Sequence, residues 1–214
     1  MMVAVRTSAT LLRMSTGPLP TLPLRERKRL RAMRNIQSVA LELFDREGFD
    51  TVTVERIAEL AEVSPSSIYR WFGTKEQLII WDEYDPASLV AFQERLADTE
   101  PLEALREVVS LTMGAAFDDD AERIKLRLRL AFTNPSVEAA SILQTHEMAQ
   151  LIAGIIASYR DSDPSDLDIQ VAAHGFVGAL LGALRHWYAS DFTTPIEDII
   201  ERPLAVIEQG AGLP

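Results

Sequence analysis

One stretch constrains this chain more than any other: GFDTVTVERIAELAEVSPSSIYRWFGTKEQLIIW, residues 48–81. It is divided into short pieces by its own start and stop signals. Gly48 closes the helix before it, and Thr53 stands as an N-cap ahead of residues 54–61, with Glu55 well placed in the first turn. Ser64-Pro65 reads as an N-cap followed by proline at the first helical position, where the missing N–H costs nothing. Gly73 ends that helix after about two turns, and Thr74 caps a third segment running from Lys75 through Leu78, Ile79 and Trp81 towards Tyr84. Upstream, Leu30, Met33, Ile36, Val39/Ala40 and Leu43/Phe44 recur at three- and four-residue steps, which predicts a longer amphipathic helix over 24–47.

The remaining chain reads as helix with short breaks. Helices are expected over 87–98, 101–117, 121–133, 136–159, 164–189 and 195–209, with breaks at Asp118-Asp119-Asp120, at Asn134-Pro135 and at 161–164. No alternating strand pattern exceeds four residues, so the fold class is all-α. Residues 1–24, rich in Ser, Thr, Gly and Pro, read as a flexible tail in which Met1, Met2 and Met14 are each candidate starts. Of the 214 residues 47% are hydrophobic and 25% charged, which excludes collagen-like and wholly disordered classes. With no cysteine there are no disulfides, thiolate metal sites or cysteine nucleophiles. No apolar run approaches the roughly 18 residues a bilayer requires, residues 175–184 being the best candidate. The N-terminus lacks a continuous apolar signal region, so the expected location is cytoplasmic, with no membrane partner.

The net charge of −11 is unevenly spread. Residues 1–80 carry 12 Lys/Arg against 9 Asp/Glu, and residues 81–214 carry 9 against 23. An acidic body cannot lie along phosphates, so any nucleic-acid contact must come from the basic first part.

Two short helices after a longer one form a helix-turn-helix arrangement. On a helical wheel centred on Ile68, Phe72 and Pro65 fall within about 60° of it, while Ser66, Ser67 and Arg70 point away and Tyr69 lies on the flank. A small, polar, basic outer face suits the major groove, where serine can serve base edges and arginine can grip guanine bidentately. Lys75 stands where a helix N-terminus favours a phosphate. The residues Gly48-Phe49, Thr53-Val54, Ile57-Ala58, Ala61, Val63-Ser64, Ile68-Tyr69, Phe72 and Thr74-Lys75-Glu76-Gln77-Leu78 closely resemble the DNA-binding signature of the TetR family of bacterial transcriptional regulators.

That resemblance implies a three-helix DNA-binding head over 25–78 and a helical effector-binding and dimerisation domain over 79–214. It implies that Thr53 caps near a phosphate, that Tyr69 and Lys75 contact the DNA backbone, and that Ser66, Ser67 and Arg70 lie on the recognition helix. Trp71 departs from the family's usual His or Tyr and can donate only through Nε1, so it divides between packing and phosphate contact. The basic run Arg25, Arg27, Lys28, Arg29, Arg31 and Arg34 reads either as a solvated helix start or as an arm along phosphates. Arg56 reads as a solvated arginine.

In the body, Gly175, Gly178/Ala179 and Gly182/Ala183 allow close helix approach, either within one chain or, as the resemblance implies, between two copies. Leu180, Leu184, Trp187, Ile196, Ile199/Ile200, Leu204 and Ile207 would supply the apolar remainder of that contact. The expected partners are therefore double-stranded operator DNA, a second copy of the chain and a small effector. An excess of bulky apolar residues supplies candidate ligand contacts: Trp81, Tyr84, Phe92, Met113, Phe117, Leu130, Met148 and Ile152, to which His174 is added, read either as a core histidine or as an incidental polar group of the pocket. No polar constellation converges among them, so a largely apolar effector is expected. Residues 78–85 and 123–132 further resemble the acyl-CoA-responsive branch of the family, that of the mycofactocin regulator. Arg123, Lys125, Arg127 and Arg129 would then be available to phosphates, against the plainer reading of a solvated face.

No metal site is expected from the consecutive carboxylates at 118–120 or from the dispersed His146, His174 and His186. No cofactor is expected. No nucleophile elbow, P-loop or dinucleotide fingerprint supports an enzyme. The expectation is a ligand-responsive repressor; the alternative is a small-molecule-binding protein with a vestigial head, against which Tyr69, Arg70 and Lys75 argue.

Overall fold

The first half of the molecule is organised around α1 (Leu24–Glu47), which buries Met33, Ile36, Gln37, Ala40, Leu43 and Phe44 against three short helices. These are α2 (Val54–Leu60), α3 (Pro65–Phe72) and α4 (Gln77–Ile80). Ile57, Ile68, Leu78 and Ile79, each at most 1% exposed, close this core. The structure, a computed structural model, describes residues 23–82 and 85–208, leaving out the side chains of 115, 118, 119, 197, 204, 207 and 208. Of the tail expected over 1–24, residues 1–22 lie outside the described residues.

The caps follow from residue chemistry. Thr53 Oγ1 accepts the Arg56 N–H at 3.2 Å, and Ser64 Oγ accepts the Ser67 N–H at 3.2 Å, each satisfying an orphan donor of a helix start. Gly48 and Gly73 end their helices at φ +86° and +78°, where a side chain would be strained. Glu62 makes the turn between α2 and α3 at φ +55°, a left-handed position that its residue type does not advertise.

The third segment is much shorter than its pattern predicts. α4 is one turn, and at Trp81 the chain becomes extended with ψ 133°. Two contacts hold it there. The Trp81 ring packs edge-on to Phe72 at 5.6 Å, and Gln37 Nε2 donates to the Trp81 carbonyl at 2.8 Å, taking the acceptor that a continuing helix would use.

Five further helices follow: α5 (Asp85–Arg95), α6 (Pro101–Thr133), α7 (Pro135–Arg160), α8 (Leu167–Ala189) and α9 (Ile196–Glu208). The break expected at 118–120 survives as a kink inside α6. Asp120 leaves helical geometry, and its carboxylate caps the next turn by accepting the Arg123 N–H at 3.3 Å. α8 starts three residues later than its pattern suggests, because Asp163 Oδ1 accepts from Ser165 N at 2.8 Å and forms a turn first.

Contrary to the sequence expectation, α8 is long and apolar enough, by length and composition, to cross a bilayer. Asp168, Gln170 and His174 interrupt the consecutive apolar run, while the average over the helix stays high. Here it packs against α6, α7 and α9, with Phe176 and Trp187 at most 2% exposed.

Because Ser64 both caps α3 and lies 2.9 Å from the hydroxyls of Ser66 and Ser67, Ser64→Ala should cost about 1 kcal/mol. Urea denaturation should show a lower midpoint at an unchanged slope.

Candidate nucleic-acid interface and ligand cavity

α3 turns Ile68 and Phe72 into the core and leaves Ser66, Tyr69 and Arg70 exposed on its outer face, with Ser67 half-buried. Tyr69 is 51% exposed, unusual for a large apolar ring and available to an external partner. Thr53 is exposed at the start of α2. Arg70 lies over the Trp71 ring, its Cζ 5.5 Å from the centroid, while Trp71 packs half-buried against the core. Arg56 is paired with Glu59 at 2.7 Å.

Lys75 is placed differently from its expected role. Its Nζ donates to the Phe49 carbonyl and sits 4.3 Å from the Phe49 ring centroid. Desolvation lowers its pKa, against the opposing fields of Asp50 and Glu76. α4 is only one turn long and starts two residues after Lys75, with Thr74 Oγ1 accepting the Gln77 N–H at 3.4 Å. In the basic run, Arg25, Arg27, Lys28, Arg29 and Arg31 are exposed, whereas Arg34 is half-buried 3.7 Å from Asp120.

Between the two halves lies a polar joint. Arg127, from the second part of α6, donates to the carbonyls of Ile79 at 2.9 Å and Ile80 at 3.0 Å, and to Asp82 at 3.1 Å. Arg123, four residues earlier, donates to Gln37 Oε1 at 2.7 Å and Asp120 at 3.0 Å. Arg123 and Arg127 are 9% and 13% exposed, so the solvated-face reading does not hold for them. Lys125 pairs with Glu122, and Arg129 lies over Phe192.

Beside this joint is a cavity with two adjoining lobes of about 320 and 200 Å3. Met113 and Met148 line both lobes; Phe117 lines the larger, and Phe92 and Ile152 the smaller. Trp81 and Leu130 instead pack in the cluster joining the first half to α6, and Tyr84 lies outside the described residues. His174 meets His146 at 3.1 Å between α7 and α8, neither in the core nor at the cavity. The two histidines are distant in sequence, but helix packing brings them together. Among the described residues, no group of three or more His, Asp or Glu could hold a metal ion.

The cavity is not purely apolar, contrary to the sequence expectation. Asp82 and Asp85 line both lobes, and Arg127 and Gln144 line the larger. This constellation was hidden because its members come from the linker, α5, α6 and α7. Burial raises the Asp85 pKa to about 7, Asp82 adds to the rise and Arg127 opposes it.

An all-α molecule presenting a capped helix-turn-helix beside a cavity-bearing helical body defines a ligand-responsive DNA-binding transcriptional regulator. The family model "Bacterial regulatory proteins, tetR family" matches residues 36–80, and "MftR C-terminal domain" matches residues 99–212. The regulator TcmR of Streptomyces glaucescens is 32% identical over 186 residues, 81% of each chain. MftR of Mycobacterium tuberculosis, named for mycofactocin biosynthesis, is 26% identical over 190 residues, 87% of this chain and 93% of that one. The chain belongs to the TetR family of bacterial transcriptional regulators. Its fold is also similar to that of Thermus thermophilus FadR in complex with lauroyl-CoA, with a TM-score of 0.53 and 19% identity over 85% of this chain and 96% of that one.

The Asp85 shift has a signed consequence. Its folded pKa, about 7, lies above the ordinary 3.8, so folding takes up a proton. Its stabilising contribution is complete below about pH 4 and is lost as pH rises through 7. Asp85→Asn should therefore be more stable than the parent at pH 8, with the gap closing below pH 5, as read by urea denaturation at both pH values.

Proposed function

We propose that the protein is a homodimeric, non-enzymatic, cytoplasmic repressor, with residues 25–78 as its DNA-binding head and 79–214 as its effector and dimerisation domain. A largely apolar effector in the two-lobed cavity releases it from operator DNA. One observation carries this reading: residues 77–82 serve head and cavity at once. The Ile79 side chain is fully buried in the head core, yet Ile79, Ile80 and Asp82 also line the larger lobe. A ligand seated there presses on the segment that positions α3. The segment expected to run from Lys75 towards Tyr84 is helical only over Gln77–Ile80 and is clamped at its end.

Dimerisation is supported by the open face of α8. Gly175, Gly178 and Gly182 have nothing within 4 Å of an added Cβ among the described residues, so packing inside the chain does not require them to be small. Leu167 and Val171, 75% and 62% exposed, lie at the start of the same helix. Trp187, Ile196, Ile199 and Ile200, expected at the contact, instead fill an intrachain cluster, and Leu180 and Leu184 line the cavity. Two-fold pairing would set the recognition helices about one DNA turn apart. The apolar lobes would take an alkyl chain of the kind that lauroyl-CoA carries in the FadR complex.

The reading is tested by fluorescence anisotropy against the DNA upstream of its own gene and a scrambled duplex, across a salt series. Sequence-dependent binding with a steep salt slope is expected. Tyr69→Ala should weaken all duplexes alike and leave the salt slope nearly unchanged, because a neutral phenol releases no counterion. Arg70→Ala should cost roughly tenfold on the preferred duplex and relax preference at one base position; unchanged relative affinities across operator variants would remove Arg70 from base reading.

A further inference from the structure

The proposed effector site has a polar end whose charges do not balance. Three described lining residues are charged: Asp82 from the linker, Asp85 at the start of α5 and Arg127 from α6. Those facing them from α7 are uncharged (Ser141, Gln144, Thr145 and Met148), and those from α8 and α9 are apolar. Arg127 is the one cation among these residues, and three of its five N–H donors are committed to the Ile79 and Ile80 carbonyls and to Asp82. Among the described residues, no group donates a hydrogen bond to Asp85, although it stands where the two lobes meet. A half-buried carboxylate without a donor is costly, and the cost is relieved by protonation or by an arriving cation. A ligand carboxylate or phosphate at the same point would meet two aspartates.

We infer that the effector is a lipophilic organic cation, an amine-bearing amphiphile whose charged nitrogen binds the Asp85 carboxylate while its apolar part fills the two lobes. This inference rests on the reading of the cavity as the effector site and specifies that site's ligand class. The apolar walls supply affinity, and Asp85 supplies the choice of charge. The ammonium also attracts Asp82, the carboxylate paired with Arg127, so occupation draws on the clamp that holds the end of α4. Because the Asp85 pKa is held near 7 by burial, binding a cation ionises it and releases a proton.

Isothermal titration calorimetry of the full-length protein with dodecylamine, dodecanol, dodecanoate and lauroyl-CoA, all below micelle-forming concentrations, tests this. The amine should bind at least tenfold tighter than the alcohol or the acid at pH 7.5. Its ammonium stays charged throughout, so its affinity for the unaltered protein should rise about tenfold between pH 6 and pH 8 as Asp85 ionises. Asp85→Asn should bring the amine to the level of the alcohol and remove the pH dependence, with helicity by circular dichroism confirming the fold. Tighter binding of dodecanoate or lauroyl-CoA, or equal binding of amine and alcohol, overturns the charge assignment while the cavity reading stands. If no probe binds, or if filling the cavity by Leu180→Trp leaves all binding unchanged in a folded protein, the cavity reading falls and this inference with it.

Discussion

The molecule depends on how a very short helix is ended. α4 has four residues, so its terminal carbonyls lack intrahelical partners, and burying them unpaired would cost roughly 1–3 kcal/mol each. The Arg127 guanidinium meets two of them and Asp82 together, a planar fork suited to several acceptors at once. Gln37 and Arg123 finish the joint, with Gln37 donating to the Trp81 carbonyl and accepting from Arg123. Head and body are thus joined by a hydrogen-bonded seam beside an apolar cluster. Such a seam holds one geometry and resists gradual displacement, because losing part of it leaves buried groups unpaired.

The kink at Asp120 belongs to the same constraint. By leaving helical geometry and capping the following turn, Asp120 restarts the helix with both arginines directed at the joint. The bend is thus made at Asp120, whose carboxylate also meets the Arg123 guanidinium.

The head was legible in the sequence because its signals are local. Thr53, Ser64-Pro65, Gly73 and the alternation of Ile68 and Phe72 each act within one turn of helix, and the structure uses them as read. What escaped depends on distant partners. The early end of α4 is imposed by Gln37, 44 residues upstream of Trp81. The turning of Lys75 onto Phe49 depends on a carbonyl 26 residues away. The polar end of the cavity is assembled from four separate segments, and a list of bulky apolar residues misses it. Met113, Phe117 and Met148 sit where their size suggests, but Trp81 and Leu130, equally bulky, complete the head's core instead. Size identifies residues that seek burial; it does not say which of two cores takes them.

The switch implied by this architecture has an energetic requirement that an apolar cavity alone cannot meet. A ligand shifts a two-state equilibrium only by its difference in affinity between the states, and moving it from 1:99 to 99:1 takes about 5.5 kcal/mol. Burial of an alkyl or aromatic body against α7 and α8 contributes similarly in both states as long as those helices keep their packing. The difference must come from the wall shared with the head, formed by Ile79, Ile80, Asp82 and Asp85 with Arg127 behind them. Polar contacts at this wall are the ones that change when the clamp shifts, so Asp82 and Asp85 are where a ligand gains leverage over α4. In a two-fold dimer with two cavities, each effector need supply only about half of that difference, within the reach of one desolvated ionic contact.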